Sequence, residues 1–331
     1  MATPALRALR SWADARGATI VGVMRPVIEE LLEGVDLFDE TVSYDKADPA
    51  PLLKYLRSLH RSTALLLTNS LRTAWLAWRA GCRRRIGYAQ EGRRLLLTDP
   101  VTRARWKRRR LPRSAVDDYL DLARVVGAFP DSIDLRLAVT RQDRELAAAL
   151  WKSWQWLDEQ VITFHPGAAF GAAKCWPVAH FARLAEMLLA ARPDRRILVL
   201  CGPAETETAR TIVHQVQDDR IRSVAEFSPS IRLTKGCLAR SALLVTGDSG
   251  PRHMAAALRI PTVTLFGPTD PCWSHNYHAK DRWLERDLSC RPCARRSCPL
   301  QHHRCLQDLL PEQVAAAAKE WLACPALPAA G

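Results

Sequence analysis

The chain has 331 residues, which is more than one hydrophobic core usually serves, so we expect two domains. Hydrophobic residues make up 48% of it, yet no apolar run approaches the roughly 20 residues that a transmembrane helix needs, which argues against an integral membrane protein. The formal net charge of +13 indicates an anionic partner, namely a membrane face, a phosphorylated substrate or nucleic acid, unless arginine simply decorates a solvated surface.

Short apolar runs alternate with amphipathic stretches along the whole chain, which predicts strand–helix units and a parallel sheet. The predicted strands span residues 18–23, 64–68, 135–139, 161–165, 196–201, 243–246 and 262–266. The predicted helices span residues 4–13, 71–80, 116–126, 178–191, 206–216, 252–258 and 311–322. We expect an N-terminal domain over residues 1–150 and a C-terminal domain over residues 151–331, each of Rossmann-like proportions.

The densest basic run lies at residues 103–113 and contains one aromatic residue, Trp106. Proteins that bind single-stranded nucleic acid usually offer several aromatic rings for base stacking. The run is therefore interpreted as a membrane or substrate patch. The first residues lack an apolar core of signal-peptide length, so we expect a cytoplasmic protein.

The strongest local signal is an apolar strand followed by a turn and a helix, with the sequence LLVTGDSGPRH at residues 243–253. Ligands of open α/β sheets bind at the carboxyl ends of strands, and the N–H groups at a helix start stabilise a phosphate. Asp248, Ser249 and Gly250 are thus candidates for an anion site, although a capped helix without a ligand fits the same residues. His253, one turn into the helix, fits either a structural or a site role.

Two further strands lead into glycine turns. In the first, Gly167 and Ala168 open a small loop, and Lys174 offers a point charge for a diphosphate unless it is a solvated loop lysine. In the second, Glu205 either caps a helix or binds nucleoside hydroxyls. The P-loop and dinucleotide glycine motifs are absent from the sequence, which argues against an ATPase and an NAD enzyme.

Taken together and in this order, these segments resemble glycosyltransferase family 9, the ADP-heptose:lipopolysaccharide heptosyltransferases. The motifs that carry the resemblance are NSLRTA at 69–74, RIGY at 85–88, HPGAAFGAAKCWP at 165–177, GPAETE at 202–207, TGDSGPRHMAAAL at 246–258 and TLFGPTDP at 264–271. The cysteines of residues 290–305, called the cysteine segment below, are similar to the tail of the heptosyltransferase II branch.

The resemblance implies a GT-B architecture, in which two Rossmann-like domains face a cleft. It further implies that Lys174 binds the donor diphosphate and that Glu205 contacts the nucleoside. The donor pocket would be formed by Gly167, Ala168, Asp248, Ser249, Gly250 and His253. Some family members have Thr-Thr where this chain has Ala168-Ala169, so any phosphate contact there must come from the backbone.

The implied reaction transfers a heptosyl group from ADP-L-glycero-D-manno-heptose to the lipopolysaccharide inner core, with inversion and without a metal or another cofactor. The implied partners are the ADP-sugar donor, the inner-core acceptor and, peripherally, the anionic inner face of the plasma membrane, but no nucleic acid. One alternative is a relative that uses another nucleotide sugar. Another, of a different class, is a basic nucleic-acid-binding protein with a zinc module at the cysteine segment.

The family pattern begins before this chain does. Family members open with a strand and a Gly-Asp loop, followed by a helix that resembles MATPALRALR at residues 1–10. The presumed general-base aspartate would therefore precede Met1, so no catalytic residue is assigned and the N-terminal domain is expected to lack its first strand. Either the start codon has been placed too far downstream or the chain is a degenerate copy.

Four of the ten cysteines form the pattern C-x2-C-x4-C-x6-C, at Cys290, Cys293, Cys298 and Cys305. The pattern is compatible with tetrahedral zinc, but its spacing matches no standard finger. Reduced cysteines that pack as small hydrophobic side chains remain the alternative.

Overall fold

A computed structural model describes residues 1–44, 47–59, 62–103, 105–106, 109–156, 160–167 and 171–323. The chain divides into two compact units, Met1–Asp134 and Leu135–Gly331. Within the described ranges, no helix has both the length and the apolar character needed to cross a membrane.

The first unit combines short parallel strands with amphipathic helices. Its helices are α1 (Thr3–Asp14), α2 (Pro26–Leu32), α3 (Ala50–Ser58), α4 (Leu71–Arg79) and α5 (Ala115–Arg124). Its strands are β1 (Val21–Met24), β2 (Glu40–Ser43), β3 (Thr63–Leu66), β4 (Arg84–Tyr88), β5 (Asp99–Val101), β6 (Arg105–Trp106) and β7 (Arg109–Arg110). Strands β1 and β2 pair in parallel, β3, β4 and β5 form a second parallel sheet, and β6 and β7 form an antiparallel pair.

The second unit is a doubly wound α/β domain around one six-stranded parallel sheet. Its helices are α6 (Arg141–Ser153), α7 (Val178–Ala191), α8 (Thr206–Val216), α9 (Ile231–Ala239), α10 (Gly250–Ala257), α11 (Arg304–Gln307) and α12 (Pro311–Leu322). Its strands are β8 (Gln160–His165), β9 (Arg195–Val199), β10 (Ile221–Ser223), β11 (Leu243–Gly247), β12 (Thr262–Phe266) and β13 (Asp281–Glu285).

The strand order of this sheet creates a crevice. The order β10-β9-β8-β11-β12-β13 means that the chain winds outward from β8 in one direction and then returns to β8's other side at β11. Helices that follow β8 and β11 therefore leave on opposite faces. In such folds the ligand lies outside the carboxyl ends of the two strands where the order reverses.

The division between the units differs from the predicted boundary after residue 150. Helix α6 packs on α9, and the Asp143 carboxylate lies 2.8 Å from the Lys235 ammonium, with both side chains fully buried. Asp143 also closes a capping box with Thr140 at the start of α6. These contacts place α6 in the second unit, so the boundary lies between Asp134 and Leu135.

The predicted strand at residues 135–139 is wrong. Leu135 is buried and Arg136 is exposed, as strand alternation requires, but this segment joins the two units and pairs with no described strand. Its described backbone is instead held by a side chain, because the Lys235 ammonium donates to the Ala138 carbonyl at 3.4 Å. Alternation alone therefore did not distinguish a strand from an extended connection.

Candidate functional site

The candidate site lies at the carboxyl ends of β8 and β11, where the strand order reverses. The two strands pair in register, with His165 opposite Thr246 at the last paired position. Each strand then turns into a loop that carries predicted site residues. Gly247 allows the two loops to approach closely, since a Cβ there would lie 3.2 Å from the Lys174 carbonyl oxygen.

Lys174 and Asp248 form an ion pair across this crevice. The Lys174 Nζ lies 2.6 Å from Asp248 Oδ2, and each side chain is only 10% exposed. Burial by itself raises the pKa of Asp248, but the Lys174 ammonium, a hydrogen bond with Ser274 and the Arg252 cation outweigh it and hold that pKa below its usual value. The pair therefore presents a positioned ammonium, held by a carboxylate, at the crevice.

A buried arginine that the sequence did not indicate, Arg252, forms an ion pair with the other carboxylate oxygen of Asp248. Arg252 is fully buried in α10, with its NH1 3.7 Å from Asp248 Oδ1 and its Nε 2.9 Å from Asp281 Oδ2. Its NH1 also donates to the Ser274 carbonyl at 2.8 Å. The ring of Phe266 lies beneath the guanidinium, 5.0 Å from its central carbon. Arg252 thus ties the first turn of α10 to β12 and β13.

Ser249 does not cap α10, contrary to the capping role that its residue type suggested. It is the N-cap residue, yet its side chain accepts no bond from the described first-turn N–H groups. Its hydroxyl lies 2.9 Å from Thr246 Oγ1 and 3.4 Å from His165 Nδ1. Burial lowers the pKa of His165 to about 4, so this histidine is neutral at physiological pH.

The start of α10 is open. A Cβ built on Gly250 would meet no described heavy atom within 4 Å. The helix has eight residues, and Ser249 leaves the first-turn N–H groups to other acceptors. The combination of open space, helix N-terminus and the nearby Lys174 ammonium is suited to an anion.

Glu205 and Gly167 meet on the other side of β8. Glu205 Oε2 accepts a hydrogen bond from the Gly202 N–H at 2.6 Å, which is the capping alternative of the sequence analysis. A Cβ at Gly167 would lie 2.5 Å from the Glu205 carboxyl carbon, so a larger residue there would displace the Glu205 side chain. The carboxylate is consequently fixed at the end of β9, where its nucleoside role stays a prediction. Ala168 lies outside the described residues.

His253 lies farther along α10 and has a polar neighbour. Its Nδ1 is 3.3 Å from the side-chain nitrogen of Asn276, a residue that is 2% exposed. The structure therefore places His253 on the same helix as Gly250, with its ring oriented by a buried amide.

The cysteine segment contacts the loop that carries Lys174. The Ala173 N–H donates to the Arg296 carbonyl at 3.1 Å, and Gly171 adopts a φ of +137°, where a Cβ would lie 2.6 Å from that same oxygen. The four cysteines line one cavity of about 30 Å³ together with His302 and His303. In the described part of the chain, no three His, Cys, Asp or Glu side chains are placed to hold a metal ion.

Two aspartates of the first unit have structural partners. Arg10 bonds to Asp14 at 2.8 Å and to Asp39 at 2.7 Å, and Asp39 also accepts the Ile20 N–H. The Asp14 pair lies within α1, whereas Asp39 joins α1 to the segment before β1.

This fold defines a doubly wound α/β domain with a crevice at the sheet's switch point. A family model described as glycosyltransferase family 9 (heptosyltransferase) matches residues 51–304, and the chain belongs to that family. The resemblance seen in the sequence is thereby confirmed.

Curated relatives carry heptosyltransferase names. Lipooligosaccharide heptosyltransferase 2 of Campylobacter jejuni is 33% identical over 168 residues, which are 50% of this chain and 51% of that protein. Lipopolysaccharide heptosyltransferase 2 of Escherichia coli is 28% identical over 78% of this chain and 75% of its own length. The chain thus spans about half the length of the Campylobacter jejuni relative it matches.

Solved structures share the fold, which confirms the predicted GT-B class. The ADP-heptose lipopolysaccharide heptosyltransferase II of Escherichia coli superposes with a TM-score of 0.76 at 24% identity, over 96% of this chain and 94% of that one. A family 9 glycosyltransferase of Veillonella parvula gives a TM-score of 0.79 at 23% identity, over 97% and 92% of the two chains.

Proposed function

We propose that this chain transfers a heptosyl group from ADP-L-glycero-D-manno-heptose to the lipopolysaccharide inner core, with inversion at the anomeric carbon and without a metal ion. The observation that carries the proposal is the buried Lys174–Asp248 ion pair beside the open start of α10. Membership of family 9 supports the heptosyl donor and the lipopolysaccharide acceptor. The proposed location is the cytoplasm, with peripheral contact to the anionic inner face of the plasma membrane.

The proposed chemistry breaks the bond between the anomeric carbon and the β-phosphate oxygen while the acceptor oxygen forms a new bond to that carbon. Negative charge then develops on the departing diphosphate. The Lys174 ammonium and the first-turn N–H groups of α10 stabilise that charge, and Asp248 holds the ammonium in place before the donor arrives. Because these groups are fixed in advance, they need no reorganisation during the reaction.

The remaining donor contacts are proposed from the same side of the sheet. Glu205, fixed by the Gly202 N–H and the close approach of Gly167, binds the nucleoside hydroxyls. Ser249 and His253 contact the heptose or its phosphate. The base that removes the acceptor proton is left unassigned among the described residues.

Isothermal titration with ADP-heptose and with UDP-sugars tests the donor assignment without requiring turnover. Binding of ADP-heptose in preference to UDP-sugars supports the proposal. Preference for another nucleotide sugar selects the alternative within the family. A transfer assay on heptose-deficient lipopolysaccharide then tests the acceptor. Donor binding without transfer removes the catalytic part of the proposal.

A further inference from the structure

Helix α4 turns apolar side chains away from the core. Leu71, Trp75 and Trp78 are 50%, 39% and 49% exposed. Their spacing of four and three residues puts them on one side of the helix, while the buried residues of the helix are Ala74, Leu76 and Ala77. This stripe, called the α4 apolar face below, groups three exposed apolar side chains on one side of the helix rather than scattering them singly.

Arginines border the α4 apolar face. Arg72 and Arg79 are exposed and lie next to the stripe on the helical wheel, and the Arg79 guanidinium lies 5.7 Å from the Trp75 ring centroid. Aromatic rings with adjacent cations are the side chains that favour the headgroup region of a bilayer.

A short 3-10 turn, Arg93–Leu96, contacts helix α4. Its Arg93 is fully buried and donates to the carbonyl oxygens of Tyr88, at 2.8 Å, and of Thr68, just before α4. This anchoring fixes the turn beside the start of α4. Its outer residues, Arg94 and Leu95, are exposed, and Leu95 is 93% exposed.

Two basic residues of the 103–113 run have carboxylate partners inside the first unit. Arg103 pairs with the buried Asp118 and lies over the Tyr88 ring at 4.7 Å. Arg113 pairs with Asp121. Arg103 and Arg113 are therefore held by carboxylates of the first unit, whereas the side chains of residues 104–110 lie outside the described part of the chain.

We infer that the α4 apolar face, with Leu95, inserts into the interface of an anionic lipid bilayer while Arg72, Arg79 and Arg94 contact lipid phosphates. The inference rests on the proposed contact with the inner face of the plasma membrane and assigns it to a surface. Two tryptophans and two leucines supply the apolar area, and the arginines add an attraction that depends on anionic lipid and falls with salt.

Vesicle sedimentation of the full chain tests this assignment. The vesicles contain phosphatidylethanolamine and phosphatidylglycerol, and vesicles of phosphatidylcholine serve as the uncharged comparison. The variant Trp75→Ser/Trp78→Ser is expected to lower the partition coefficient by about tenfold or more, since it removes exposed apolar area from the contact. The matched control is Phe129→Ser/Ile133→Ser, which removes two exposed apolar side chains elsewhere in the same unit and is expected to bind like the parent.

Leu95→Ser provides a second variant for the case in which the tryptophan variant fails to fold, because Leu95 is almost fully exposed. It too is expected to weaken binding to the charged vesicles. Parent-like binding by both variants, or no binding by the parent, overturns the inference. It is also overturned if sedimentation velocity shows a parent dimer that Trp75→Ser/Trp78→Ser converts to monomer, because a second copy would then cover the face.

ADP-heptose affinity is measured on the same proteins to separate this inference from the proposed function. Intact donor binding with no vesicle binding contradicts the α4 surface alone. Vesicle binding that requires Trp75 and Trp78, in a protein that does not bind ADP-heptose, supports the surface and rejects the donor assignment.

Discussion

The Lys174 ammonium and the Asp248 carboxylate lie 2.6 Å apart, although 74 positions separate them in the chain. They meet because β8 and β11 are neighbours in the sheet and both strands end in glycine-containing loops. The pair joins the two sides of the switch-point crevice, so substitutions of Lys174 and Asp248 test the site directly.

Lys174→Ala is expected to lower turnover, or donor affinity where turnover is absent, by about 10²-fold, which is the scale of losing one preorganised donor to a developing oxyanion. Steady-state kinetics or titration with ADP-heptose measures the effect. Lys152→Ala is the matched control, because Lys152 is an exposed lysine at the end of α6 in the same unit. Equal behaviour of the two variants would remove Lys174 from the site.

The Lys174–Asp248 pair is expected to be strongly coupled in stability. Removing either partner leaves a poorly solvated charge, which costs about 3–5 kcal/mol for a buried pair. The double variant Lys174→Ala/Asp248→Ala leaves neither charge. Its loss in the free energy of unfolding should therefore be smaller than the sum of the two single losses, by a coupling energy of about 1–3 kcal/mol. Additive losses in urea titrations would show that each side chain is stabilised independently.

Gly250→Ala separates a packing role from a ligand role. Because a Cβ there meets no described atom within 4 Å, the free energy of unfolding should stay within about 1 kcal/mol of the parent. Donor affinity should nevertheless fall, since the methyl group occupies the space before the first helical turn. Calorimetric titration with ADP-heptose measures this.

The contrasting variant is Gly236→Ala, whose Cβ would collide with the Asp143 carbonyl and which should lose stability. A Gly250→Ala protein that binds ADP-heptose as tightly as the parent would place the diphosphate elsewhere.

The buried His165 should make the second unit sensitive to mild acid. Burial lowers its pKa from the ordinary 6.5 to about 4, so the unfolded chain takes up a proton that the folded chain excludes. The free energy of unfolding is therefore highest above pH 6.5, where His165 is neutral in both states. It falls by about 2 kcal/mol between pH 7 and 4.5, because the unfolded chain is protonated there and the folded chain is not. His165→Asn should therefore lose less stability over this interval.

Urea titrations at pH 7, 5.5 and 4.5 test the His165 prediction. The exposed His214 offers the control His214→Asn, which should keep the parent's pH dependence. If His165→Asn and the parent lose the same free energy on acidification, another group is responsible.

Most of the second unit could be predicted from sequence because its central strands are apolar and its helices amphipathic. Strand β12 and helices α7, α8 and α12 have the predicted bounds. The edge strands β10 and β13 were missed, since Arg222, Asp281 and Arg282 interrupt their apolar character. Central strands of a parallel sheet are buried on both faces and therefore appear in the sequence as continuous apolar runs. The edge strands β10 and β13 are less buried and lack such a run.

The sequence predicted the loop residues of the candidate site but not the buried residue that holds them in place. Lys174, Asp248, Ser249 and Gly250 lie at one crevice, as strand-end glycine motifs predicted. Arg252 was passed over because an arginine in a helix usually faces solvent, whereas here it is fully buried against Asp281. Only the adjacency of β12 and β13, which sequence patterns did not reveal, supplies its partner.

The bond from the Ala173 N–H to the Arg296 carbonyl joins segments that are far apart in the sequence. A chimera that takes residues 290–305 from a relative while keeping this chain's residues 167–174 would pair two segments that did not evolve in contact with each other. Exchange of donor specificity between family members should therefore succeed when both stretches are transplanted as a unit, and fail when either is moved alone.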